Sequence, residues 1–198
     1  MTSKLDISAL IGSRICHDLI SPIGAIGNGI ELLSMTSALG KAELALLAES
    51  VGNANARIRF FRVAFGVFSA DQMMSEREIG SILSDLFAGT RLSVDWAIPA
   101  ALPRQDVKLA FLLLQCMETA MPWGGQISVT QQDDRIKVAG TSDRLRVEDN
   151  LFDALITGDV PDEMRPALVQ FALVPLELAA RDRALTILRD NDRISLSF

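Results

Sequence analysis

The chain has 198 residues, 49% of them hydrophobic, and a formal charge of -6. This composition can fill the core of one large domain or two small ones and excludes a disordered polar chain, while the acidic balance argues against a nucleic-acid binder, which is normally basic. No apolar run reaches the roughly 18 residues of a membrane span, and the first six residues lack the charged and apolar regions of a signal peptide, so a soluble, cytoplasmic protein is expected.

The first predicted helix covers 5–35. Ile7, Ile11, Ile15, Leu19, Pro22, Ile26, Ile30 and Leu33 form one stripe when wound at helical pitch, and His17, the single histidine of the chain, lies about 160° from its centre. A histidine kept for packing would sit on the stripe; this one should project into water. Neutral imidazole carries a free lone pair near neutral pH and is a competent nucleophile. Pro22 cannot donate to the carbonyl of Asp18, so a kink or loosened turn is expected after His17. The alternative is that Ser21 and Pro22 begin a helix.

A break is expected at 36–40, then a second helix over 41–68 with Leu44, Leu47, Val51, Ala54, Ile58, Phe61 and Phe65 on one stripe. Two such helices form an antiparallel hairpin that cannot bury both stripes alone. A dimeric four-helix bundle with two-fold symmetry is therefore expected, with His17 facing outward; the alternative is that the stripes pack on the chain's own C-terminal half. Gly24, Gly27 and Gly29 weaken the helix, which close helix approach would offset.

Beyond a turn at 69–72 the pattern becomes mixed. Helices are expected at 78–88, 106–121 and 164–183, and strands at 91–98, 126–131, 135–139, 184–188 and 193–198, with a hairpin across Gln132, Asp133 and Asp134. The fold class is thus α+β: a helical hairpin (1–70) followed by an α/β sandwich (71–198). Cys16 and Cys116 have neither disulfide-framework nor zinc spacing, so no metal site is expected.

His17-Asp18-Leu19-Ile20-Ser21-Pro22 is similar to the phosphoacceptor box of sensor histidine kinases. The longer run through Ile23-Gly24-Ala25-Ile26-Gly27-Asn28-Gly29-Ile30-Glu31-Leu32-Leu33 resembles, more narrowly, the ChpT-type histidine phosphotransferases of alphaproteobacteria. The order of elements after 71 resembles the ATP-binding domain of histidine kinases. That resemblance also exposes departures: Pro122-Trp123-Gly124-Gly125 keeps the family's turn, but Cys116 stands where its magnesium-binding asparagine is expected, Ala139-Gly140-Thr141-Ser142-Asp143 replaces its adenine motif, and 165–171 contains no glycine. Phosphates need close-packed backbone N–H groups or several cations. A degenerate domain without ATP hydrolysis, and a chain with no cofactor of its own, are the implied expectations.

The resemblance implies a histidine phosphotransferase that relays a phosphoryl group between receiver-domain aspartates through His17, with Asp18 orienting the ring. These two are the candidate catalytic residues. Candidate partner-binding residues are Arg14, Ile20, Ser21 and Arg57, with Arg59 and Arg62 in support; Arg14 could equally be a solvated surface charge, and for Arg57, Arg59 and Arg62 a solvated helix face is the more common explanation. Implied partners are a second copy, response-regulator receivers that bring magnesium, and a hybrid histidine kinase, with no nucleic acid and no membrane. Competing readings are a non-catalytic regulatory protein that binds receivers or kinases, an active kinase with an unusual nucleotide site, and a receiver phosphatase acting through Asp18 and Ser21.

Overall fold

The structure, a computed structural model, describes residues 5–35, 40–69, 71–161 and 163–198. Helix α1 (Ile7–Met35) runs unbroken through Pro22, so Ser21 and Pro22 lie inside a helix rather than at a helix start. The predicted break at 36–39 falls outside the described residues, as do Ala70 of the predicted turn and the first four residues. Helix α2 (Lys41–Ala64) follows Gly40 and ends four residues short of the expected 68. The two helices pack along each other. They approach closely at Gly29, where a Cβ would lie 2.6 Å from Leu47 Cδ2, whereas the expected close approach does not occur at Gly24 or Gly27.

Strand β1 (Met73–Met74) leads to α3 (Glu76–Phe87), which starts earlier than predicted because the Ser75 hydroxyl caps it by accepting the Glu78 N–H. Then come β2 (Leu92–Trp96), β3 (Leu102–Pro103), α4 (Arg104–Ala120), β4 (Gly125–Gln132) and β5 (Arg135–Thr141). The short β1–β3 pair was not foreseen. Helix α5 (Asp149–Thr157) was not foreseen either. The single helix expected at 164–183 is in fact a 3-10 turn (Pro166–Leu168) followed by α6 (Val169–Ala179). Arg165 is held extended before Pro166, as proline demands of its predecessor. Strands β6 (Thr186–Arg189) and β7 (Arg193–Ser197) follow.

The main sheet has the order β2-β4-β5-β7-β6, with β2 parallel to β4 and the other pairs antiparallel. The middle of helix α4 is enclosed on every side, with every residue from Leu109 to Met117 buried. It lies between the sheet on one flank and α2 and α6 on the other. The core does not stop at the hairpin. Phe60 of α2 stacks on Phe111 of α4 at 4.6 Å between ring centroids, and Phe61, Val63 and Ala64 join the same cluster.

The two stripes divide accordingly. Leu10, Ile11 and Ile15, in the first half of α1, pack against the chain's own core, and α1 touches α6 and the 166–168 turn. Farther along, Ile23 and Ile30 on α1 and Leu44, Val51 and Ile58 on α2 remain exposed. The protein is a mixed α+β fold with six α-helices among the described residues.

Candidate functional site

The apolar face of α1 determines where His17 goes. With Ile15 and Leu19 turned inward, the ring of His17 is 81% exposed. Its Nδ1 lies 3.0 Å from Asp18 Oδ1. A carboxylate can only accept, so in this contact Nδ1 carries the hydrogen, and in the neutral ring Nε2 is the nitrogen left with a lone pair. Asp18 itself is only 10% exposed. Arg14, one turn earlier, donates Nε–H to Asp18 Oδ2 at 2.8 Å and Nη1–H to the carbonyl of Ala167 at 2.6 Å. Arg57 of α2 brings a second guanidinium to 3.9 Å from the same Oδ2.

Behind this group stands Glu118 on α4, half-buried. Burial pushes its carboxyl above the usual glutamate range; Arg14 and Arg57 draw it down in part, and the charge of Asp18 adds to the rise. A cleft of about 370 Å³ opens beside Asp18 and is lined by Ser21, Pro22, Asn53, Arg57 and Thr90, among others.

His17, Asp18, Arg14, Ser21 and Arg57, all picked out in the sequence, therefore converge, while Ile20 lies exposed on the outer surface. Arg14 is the exception in orientation: it turns inward and is only 17% exposed. Arg59 is tied to Asp85 and Ser81 on α3. Arg62 offers its backbone carbonyl to Arg104. Neither of these two arginines lines the cleft. Sequence reasoning missed Glu118, Asn53, Thr90 and the Ala167 carbonyl. The spacing of four between Asn53 and Arg57 was a legible signal for Asn53, whereas nothing in the sequence set Glu118 apart from the other charged residues of α4.

The second cleft, about 360 Å³, is lined by Trp123, Gly124, Gly125, Ser142, Asp143 and Arg144. Gly124 and Gly125 have φ of +104° and +146°, and a Cβ on Gly125 would lie 2.4 Å from the Thr141 carbonyl, so the turn requires glycine there. Ser142 donates its hydroxyl to the Gly124 carbonyl, and the Arg144 guanidinium lies 3.9 Å over the Trp123 ring. Cys116 is fully buried, and burial pushes its thiol up. A metal-bound triphosphate does not fit these residues: the thiol is shut in the core, and the one arginine at the mouth is already stacked on an indole. Among the described residues no three His, Cys, Asp or Glu side chains converge on a metal-sized space, and no helix is long and apolar enough to cross a membrane.

Residues 76–193 match the family model for the C-terminal domain of histidine phosphotransferases. The chain is 36% identical, over 167 residues, to the protein phosphotransferase ChpT of Brucella abortus (strain 2308); the match covers 81% of this chain and 79% of that protein. A solved bacterial phosphotransferase superposes with a TM-score of 0.80 at 31% identity, covering 100% of this chain and 97% of the other. A more distant likeness, to the histidine kinase AdeS of Acinetobacter baumannii, has a TM-score of 0.45 at 10% identity and covers 91% and 95% of the two chains.

Proposed function

The chain belongs to the histidine phosphotransferases, the protein-to-protein carriers of phosphorelays, and from that premise we propose that His17 receives a phosphoryl group from an aspartate of one receiver domain and passes it to another. The observation that carries this reading is an exposed imidazole whose Nδ1–H is held by a nearly buried carboxylate. In the first step the Nε2 lone pair attacks the phosphorus of an aspartyl phosphate in line. The N–P bond forms as the P–O bond to the aspartate breaks, and that electron pair leaves with the released carboxylate. The imidazolium so formed keeps its Nδ1–H on Asp18, whose charge stabilises it. The second transfer is the same step in reverse, onto a different aspartate. Magnesium held by the receiver supplies the neutralising charge. This chain contributes the nucleophile, the group that orients it, and a docking face that includes Ile20, Ser21 and Arg57.

Two further parts belong to the proposal. The exposed apolar residues at seven-residue spacing, Ile23 and Ile30 on α1 with Leu44, Val51 and Ile58 on α2, suit a seam with a second copy, completing a four-helix bundle. Ile30→Glu should then yield a monomer by sedimentation. The C-terminal half is a degenerate, cytoplasmic relative of a kinase ATPase domain, so the phosphoryl group must come from a hybrid kinase's receiver rather than from ATP.

The test is transfer from a phosphorylated receiver to the full-length chain. The wild type should take up the phosphoryl group and release it to a second receiver. His17→Ala should take up none while binding the receiver with unchanged affinity, and labelled ATP alone should label neither. Transfer that survives in His17→Ala would refute the assignment.

A further inference from the structure

We propose that Arg14 is a positioning residue for His17, acting through Asp18, and that the 166–168 turn of the C-terminal half anchors it. The inference rests on His17 being the phosphoryl acceptor. On a helix, neighbouring residues point about 100° apart and do not face each other. The contact between His17 and Asp18 therefore does not enforce itself, and something must hold the carboxylate under the ring. Arg14 does so from one turn earlier, where positions four apart do meet.

A single hydrogen bond would leave the guanidinium free to swing with Asp18. Here Nε–H goes to Asp18 Oδ2 at 2.8 Å and Nη1–H to the Ala167 carbonyl at 2.6 Å, so one planar fork joins the acceptor's partner to backbone 153 residues away. With only 17% of its side chain exposed, Arg14 is turned away from an incoming receiver. Arg57, at 3.9 Å and 43% exposed, adds charge without a comparable geometric constraint. The consequence is that the orientation of the nucleophile depends on how the C-terminal half seats against α1. The half that resembles a nucleotide-binding domain thus retains a task in the transfer.

One histidine per chain makes this measurable, because every imidazole signal in a spectrum belongs to His17. In the full-length protein, at a pH where the ring is neutral, the ring 15N signals should show hydrogen on Nδ1 and none on Nε2. Arg14→Gln should average the two tautomers and slow transfer by roughly tenfold in kcat, with receiver affinity retained. Arg14→Lys keeps the charge but lacks the fork, and should resemble Arg14→Gln. Pro166→Gly, which loosens the anchoring turn while leaving every residue of α1 unchanged, should average the tautomers in part.

A ring that stays Nδ1-protonated in both Arg14 variants would overturn the inference, whatever their stability. A wild-type spectrum in Arg14→Lys alone would replace the fork by simple charge, and an unchanged Pro166→Gly would remove the turn from the account. If the wild type fails to accept a phosphoryl group, the relay assignment falls, while the ring spectra still decide the part played by Arg14.

Discussion

Two clefts of this molecule, one beside Asp18 and one beside Trp123, are alike in size and opposite in construction. At the His17 corner, side chains from two helices converge on one carboxylate, one of them tied in turn to a backbone carbonyl, and the reactive ring is left outside in water. At the Trp123 corner two glycines with positive φ shape the backbone, and the lining side chains are engaged with it or with each other: Arg144 stacks on the indole and Ser142 donates to the Gly124 carbonyl. The turn has a structural reason of its own, since a Cβ on Gly124 or Gly125 would meet the Arg91 or the Thr141 carbonyl.

The sharpest way to break this contrast is Asp18→Asn, which keeps the shape and removes the charge. Transfer should fall on the order of a hundredfold, measured as the single-turnover rate from a phosphorylated receiver, because an amide neither fixes the tautomer nor stabilises the imidazolium. A rate near that of the wild type would make the first cleft as incidental as the second. Next in size is Cys116→Asn, which restores the kinase-like residue. Placing an amide in a fully buried apolar site should cost about 1–3 kcal/mol of stability in urea unfolding, and no labelling by ATP should return. Recovered labelling would show the second cleft to be one residue from function.

The smallest effect concerns Glu118, and its sign follows from burial. The carboxyl is raised in the folded state, so the folded chain retains a proton that the unfolded chain has already lost. The favourable contribution is complete below the unfolded-state value and fades as pH climbs through the raised folded one. Glu118→Gln has no such proton to lose. Its thermal midpoint should therefore gain on that of the wild type as pH rises from the ordinary glutamate range toward neutrality, and parallel curves for the two proteins would sink the assignment.

Much of the first cleft was legible in the sequence, and the reason is periodicity. A stripe of isoleucines and leucines fixes the roll of α1, and with it the outward direction of His17 and the proximity of Arg14 to Asp18. What it could not disclose was the far end of Arg14, because a backbone carbonyl 153 residues away leaves no mark on composition or spacing. The same limit applied to Glu118, which reaches the site only because α4 is buried behind it. Helix α5 escaped notice because nine residues carry too few turns for a pattern. The overlong helix at 164–183 was a failure to let Pro166 stop it, and at its other end Asp182, with φ of +51°, turns the chain out of helical geometry. Reading each stripe as a single interface was the larger simplification, since one end of α1 serves the chain's own core and the other faces water.

The stack of Phe60 on Phe111 welds the exit of the hairpin to the central helix of the sheet layer. Swinging the hairpin away would uncover two side chains that are nearly or completely buried, each worth about 1.5–3 kcal/mol of apolar contact. A carrier built this way has no hinge to wait for. Receivers therefore meet a face whose two sides, α1 and the C-terminal half, are already set against each other.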